Sequence, residues 1–258
     1  MLLEVSADLA ALLVLAAFVA GVIDSIAGGG GLITVPALLL AGASPLEALA
    51  TNKAQGTFGA GTAVLTYARA GQVRPGEQLG MAAISSLAGA GGALIAHAVP
   101  VEVLQIVMPV VLIGIAGFFA FKPGLSDASR IARIRPVWFG VTAVPLIAAY
   151  DGLFGPGTGS FFMMAFVMLA GFGVLKATAH TKILNFASNL GALAVFATTG
   201  ATWWAVGLAM GVAQILGAMI GARLAVKMGA RVIKPLLVVT STAMAFRLLW
   251  QAFGNVHL

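Results

Sequence analysis

A chain of 258 residues that is 60% hydrophobic and 9% charged lacks the composition of a soluble domain, where about a quarter of residues are charged. With a mean hydropathy of +1.05 it reads as an all-α polytopic membrane protein. The absence of cysteine excludes disulfides and thiolate metal sites, three histidines without a His-Glu-x-x-His pattern give no metal site or cofactor to expect, and the net charge of +6 is spread over short loops, an orientation pattern rather than a nucleic-acid footprint.

Apolar runs fall at about 9–23, 32–42, 46–68, 78–98, 103–121, 137–150, 159–172, 177–199, 203–222 and 235–253. The first is preceded by Glu4 and Asp8 instead of a basic region, so no cleavable signal peptide is expected. It runs into residues 24–31, Asp-Ser-Ile-Ala-Gly-Gly-Gly-Gly. Glycine permits positive φ and leaves backbone N–H groups uncovered, and irregular backbone at membrane depth survives only when buried in protein or lining a cavity. The run that follows can reach only about halfway across a bilayer core of ~30 Å. The next is long enough to span and carries Thr51-Asn52-Lys53 near its start.

The second half repeats this order. Residues 151–159 read Asp-Gly-Leu-Phe-Gly-Pro-Gly-Thr-Gly. Asp24 matches Asp151, Gly28 matches Gly155, Gly30 matches Gly157, and Thr51-Asn52-Lys53 matches His180-Thr181-Lys182. Gly92 matches Gly221, and Val107-Met108-Pro109 matches Ile233-Lys234-Pro235. The expected organisation is a first transmembrane repeat over 1–122, a basic cytoplasmic linker over 123–136 and a second repeat over 137–258. Each repeat is a Gly-tipped broken hairpin followed by three transmembrane helices.

Charge selects this topology over its alternative. With each Gly-rich stretch as a hairpin tip, Arg69, Arg74, Arg130, Arg133, Arg135, Lys176, Lys227 and Lys234 fall on one side of the membrane. Glu4, Asp8, Glu47 and Glu102 fall on the other, with Arg247 as the near exception. With each stretch as a kink in one spanning helix, the bias largely disappears. The positive-inside rule favours the hairpins, with both termini outside the cell membrane and the halves as inverted repeats. Inverted repeats with broken helices are a transporter architecture whose site lies near the midplane.

Gly28, Gly29, Gly30 and Gly31, with Gly155, Gly157 and Thr158, are candidate anion cradles, because free N–H groups at the positive end of a helix favour an anion. Tight turning and close packing is the structural alternative. Lys53 and Lys182 lie about two turns inside their helices, where charge is costly and usually functional; snorkelling to headgroups is the alternative. Lys182, Asn185 and Asn189 share a helix face, Asn52 and Gln55 sit beside Lys53, and Thr181 is a weaker candidate. Asp24 and Asp151 are read as tip caps, lysine partners or proton carriers. Trp138, Trp203, Trp204 and Trp250 look like interfacial anchors, and the spacings of Gly89, Gly91, Gly92, Gly217 and Gly221 suit close helix packing or a homodimer face.

These motifs together resemble the TauE/SafE family of sulfite exporter-like permeases: residues 24–31 followed by Pro36, the Thr51-Asn52-Lys53 run, and the duplicate at 151–159 with Thr181-Lys182. The resemblance covers both halves. It implies a small permease that moves sulfite, sulfoacetate and related small sulfur or organic anions, usually outward. Thr181-Lys182 departs from Asn52-Lys53, so Asn52 need not have a symmetric counterpart. The residues leave open a secondary transporter working by alternating access, an anion channel, or a non-transporting assembly subunit. No nucleophile with a base and no nucleotide-binding loop argues for an enzyme. Expected partners are a small anion and the lipid bilayer, with a coupled proton or cation and a homodimer as open alternatives. The topology predicts that an impermeant label applied to intact cells reaches cysteine in Ser6→Cys but not in Ser129→Cys; the reverse pattern refutes it.

Overall fold

A computed structural model describes residues 4–107, 110, 129, 131–229 and 231–233. Within these residues the protein is all-helical. Its helices include α1 (Ala7–Ala27), α2 (Gly31–Leu40), α3 (Pro45–Arg69), α4 (Leu79–Ala98, entered through a 3-10 turn over Pro75–Gln78), α5 (Pro136–Leu153), α6 (Thr158–Met168), α7 (Val174–Phe196) and α8 (Trp204–Met228), and residues 101–107 and 231–233 are also helical. Half of the basic linker including Arg130, most of the run at 103–121 including Met108 and Pro109, and everything from Lys234 onward, with the run at 235–253, Arg247 and Trp250, lie outside the described residues.

Local sequence accounts for the helix ends. Ser6 caps α1 by accepting from the Leu9 N–H. α3 opens with a capping box in which Ser44 and Glu47 each satisfy the other's backbone N–H, followed by Pro45 at the first helical position, where its missing donor costs nothing. In α5 a π-helical turn at Phe139–Ala143 precedes Pro145, whose ring and absent N–H disrupt the regular ladder.

Helices α1, α4, α5 with its π turn, and α8 are long and apolar enough to cross a membrane. α3 and α7 match them in length but carry the polar residues, which are buried against their neighbours: Thr51, Asn52, Lys53 and Gln55 on α3, and Thr181, Lys182, Asn185, Ser188 and Asn189 on α7. α2 and α6 are short. The chain folds back into each of them, with Gly30 against Ala20 and Asp24, and Phe161 edge-on against Tyr150 at 5.4 Å between ring centres.

The halves interlock rather than sit side by side. α1 packs on α8, where Gly217 meets Phe18 and Val22, and Gly221 meets Val22 and Ser25. α5 packs on α4, where Gly92 meets Ala149 and Leu153, and Gly152 meets Gly89. Gly89, Gly92, Gly217 and Gly221 therefore serve packing within one chain, which accounts for them without a homodimer face. The charged residues separate along the bundle. Glu4 accepts the N–H groups of Ala205 and Val206 at the start of α8, beside the start of α3, where Thr51 accepts from Trp203. At the far end the N–H of Arg133 bonds Leu169 O, Gln78 touches His180, and Lys176 covers the Phe172 ring.

A methyl group at Gly92 would overlap the backbone of α5, whereas Gly91 has open space around its Cα. Gly92→Ala should lower the melting temperature, with a cost of about 1–3 kcal/mol from overpacking. Gly91→Ala should be neutral or slightly stabilising through helix propensity. Thermal denaturation in detergent checks both.

Candidate functional site

The two Gly-rich tips meet in the middle of the bundle. Ser160 Oγ donates to Ala27 O at 2.9 Å. The Gly28 backbone lies so close to Gly159 and Ser160 that no Cβ fits, and Gly31 faces Pro156. Positive φ is used at Gly28 and Gly29 in the first tip and at Gly155 and Gly157 in the second. The tips are thus not conformational copies. Gly30, matched with Gly157 in sequence, is in the right-handed helical region with φ −53°; Gly157 has φ +83°.

Two buried ion pairs cross between the halves. Lys53 Nζ bonds Asp151 Oδ1 at 2.6 Å, with exposures of 0% and 2%. Lys182 Nζ bonds Asp24 Oδ2 at 2.9 Å, with exposures of 0% and 17%, and also the Asp24 carbonyl. The remaining carboxylate oxygens are also taken: Asp151 Oδ2 accepts from Ser188 at 2.5 Å, and Asp24 Oδ1 from the Gly30 N–H at 3.1 Å. Asp24 is both a cap and a lysine partner, while Asp151 is a lysine partner only. Full burial with a partner rules out snorkelling.

Beside the pairs lies a cavity of about 30 Å³ lined by Asp24, Gly29, Gly30, Gly31, Asn52, Gln55, Gly56, Asp151, Gly155, Gly157, Thr158, Gly159, Asn185, Asn189 and Gln214. Most of the expected site residues converge here, with four exceptions. Lys53 and Lys182 do not line the cavity, because the aspartates draw both ammonium groups behind its wall. Gly28 is used up in the contact between tips. Thr181 is buried, with no partner for its hydroxyl, but does not reach the cavity.

The backbone donors also need redistribution. The Gly30 N–H caps onto Asp24 and cannot serve a ligand, and the φ of −53° at Gly30 is one that any residue adopts. A Cβ there would instead press on Asp24 Cβ at 2.8 Å. Among the described residues the N–H groups of Gly29, Gly31, Gly157 and Gly159 have no acceptor, and all four residues line the cavity. Two helix N-termini, those of α2 and α6, therefore present uncommitted donors to one small space.

The sequence reading included Gly159 in the second Gly-rich cradle, 155–159, but missed Gly56 and Gln214 as lining residues. Gln214 had a signal: it is a lone amide in the apolar run of α8, and intramembrane polar groups are usually functional. Gly21, which looks like a plain helical glycine, packs against Gln214 and Ala218 and so is not a neutral position. Among the described residues no cluster of His, Asp and Glu could hold a metal ion.

A bundle of membrane-length helices with two broken hairpins around a buried polar cavity defines a polytopic membrane transporter. The profile of the family described as "Sulfite exporter TauE/SafE" matches residues 13–248, and the chain belongs to that family. It is 57% identical over 246 residues to "Probable membrane transporter protein ORF9" of Sinorhizobium sp, covering 95% of this chain and 94% of the relative. It is 42% identical over 254 residues to "Probable membrane transporter protein YfcA" of Escherichia coli K12, covering 98% and 94%. A "Probable membrane transporter protein" of Haemophilus influenzae is 39% identical over 249 residues, covering 96% and 98%. No solved structure matches the chain.

Removing one partner of a buried pair strands a charge and costs about 3–5 kcal/mol. Lys53→Met should lower the melting temperature more than Lys182→Met, because Asp24 keeps the Gly30 N–H and is 17% exposed, whereas Asp151 is 2% exposed. Adding Asp151→Asn to Lys53→Met should recover part of the loss. Melting curves of the two single variants and the double variant check this; equal losses without recovery contradict it.

Proposed function

We propose that the protein is a secondary transporter of small anions, such as sulfite, organosulfonates or related sulfur and organic anions, working by alternating access as an exporter in the cell membrane. The observation that carries this reading is the convergence of four uncommitted backbone N–H groups, from two helix N-termini, on one cavity whose carboxylates are already paired. Such donors at the positive ends of helices favour an anion. The two carboxylates that line the cavity are each paired with a lysine, so the four charges nearest it sum to zero and their repulsion of an anion is offset.

The crossed contacts support a reading of the halves, 1–122 and 137–258, as inverted repeats. α1 and α3 both begin at the end of the bundle that holds Glu4, while α5 and α7 begin at the end that holds Arg133 and Lys176. Rocking one half against the other would then expose the cavity to alternate sides. The positive-inside rule puts the Arg133 and Lys176 end in the cytoplasm and both termini outside.

Flux into proteoliposomes measured with sulfite, sulfate, thiosulfate, sulfoacetate and acetate tests the reading. Saturable flux of at least one sulfur oxoanion with counterflow is expected. Flux without counterflow indicates a channel, and no flux of any of the five contradicts the assignment.

A further inference from the structure

The lining of the cavity holds donors that neither tip supplies. The side-chain amides of Asn185, Asn189 and Gln214 make no hydrogen bond among the described residues, although the three residues are only 5%, 6% and 3% exposed. The buried side-chain atoms that lack both a partner and accessible surface belong to other residues. Each of these amides therefore keeps surface that a small molecule can touch, and all three residues line the cavity. Gln214 is the one whose amide direction is fixed by packing. Its Oε1 lies in a slot between α1 and α3: a Cβ at Gly21 would come within 3.1 Å of it, and one at Gly59 would overlap it. The groups that face the oxygen there are Cα–H groups, weak donors that suit a carbonyl oxygen. Turning the amide over would press an NH₂ group against the same hydrogens and leave its protons unpaired. The oxygen keeps the slot, and Nε2 is the end left for the cavity. Counted back from the matched Gly221 and Gly92, the place of Gln214 in the first half falls to Ser85, whose hydroxyl is committed to Leu184 O at 2.7 Å. The donor is thus one-sided.

We propose that Gln214 is a specificity-determining residue of the anion site, donating through Nε2 as a third source of N–H beside the starts of α2 and α6, with Gly59 as its positioning residue. This rests on the reading of the cavity as an anion site. On α3, Asn52 stands against Gly31 and Gly59 stands against Gln214. Seven residues of helix, about 10 Å, separate the two places, so Gln214 reaches the ligand from a different end than the tips. Donors from three directions suit an anion with three acceptor oxygens, which a sulfonate or sulfite has. A carboxylate has two, on one edge, and leaves one donor facing nothing.

Methanesulfonate and acetate isolate this feature. Both carry one negative charge and one methyl group, and they differ in three oxygens against two. Acetate is the more basic anion, so simple attraction to N–H groups favours acetate. Calorimetric titration of the purified full-length protein should instead show methanesulfonate binding roughly tenfold or more tightly, because a site built with a hydrogen-bonding group rejects the analogue that leaves it unpaired. Gln214→Met fills the slot without a donor and should abolish the preference by weakening methanesulfonate alone. Gly59→Ala, at a residue outside the cavity lining, should do the same by pushing the amide out of its slot. Equal affinities in the wild type, or a preference for acetate, overturn the proposal and leave the anion site standing. A preference that survives Gln214→Met overturns the assignment to Gln214, and one that survives Gly59→Ala overturns the role of Gly59. Equal weakening of both anions in Gln214→Met, with a lower melting temperature, makes Gln214 a packing residue and overturns it too. If neither probe binds although a sulfur oxoanion is transported, the three-donor account is wrong; if neither binds and no anion is transported, the anion reading beneath it is wrong. Where Gln214→Met does not fold, Gly59→Ala and the wild-type ratio decide.

Discussion

The arrangement depends on charges that cannot be left alone at membrane depth. Each half supplies one lysine and one aspartate to the interior, and each lysine reaches the aspartate of the other half. A lone charge in that environment is costly, and stranding one partner of a buried pair more so. Pairing across the halves ties α3 to α5 and α7 to α1, and so draws the two Gly-rich tips together. The contact of Gly28 with Gly159 and Ser160, the Ser160 bond to Ala27, and the glycine-mediated packing of α1 on α8 and α5 on α4 are all compatible with that constraint, because residues without side chains let backbones approach.

The same pairing shapes the electrostatics of the cavity. Had the lysines faced it unpaired, an anion would meet two formal charges and would be slow to leave. With lysines and aspartates satisfying one another, attraction falls to the partial charges at the starts of α2 and α6. Partial charges of that sign favour an anion. The amides of Asn52, Gln55, Asn185, Asn189 and Gln214 add direction without net charge. They are distributed unevenly: the places of Asn185 and Asn189, counted from the lysines, are taken in the first half by Gly56 and Ala60, so the lining is asymmetric.

Much of this was legible in the sequence. Composition and apolar runs sufficed for a polytopic helical protein, the paired Asp and Gly-rich motifs for two broken hairpins, and Lys53 and Lys182 stood out as charges inside apolar helices. The crossing of the ion pairs was not legible, because partners far apart in the chain leave no trace in spacing. Asp24 and Asp151 were readable as lysine partners, but nothing in the spacing says which aspartate each lysine takes. Gly30 misled for a related reason: four consecutive glycines do not reveal which of them use positive φ, and a cap on Asp24 is available only once the chain has turned. Gly21 looked featureless because its neighbour Gln214 comes from the other half.

The central claim is that an anion sits between the starts of α2 and α6 rather than on a lysine exposed to solvent. Anomalous diffraction from crystals soaked in selenite, a heavier analogue of sulfite, locates the bound atom directly. The account predicts a single selenium between the two tips, within hydrogen-bonding reach of the N–H groups of Gly31 and Gly159 through its oxygens, with the Lys53–Asp151 and Lys182–Asp24 pairs intact. Selenium bound directly to Lys53 or Lys182 with its aspartate displaced, or found only away from the tips, would contradict it.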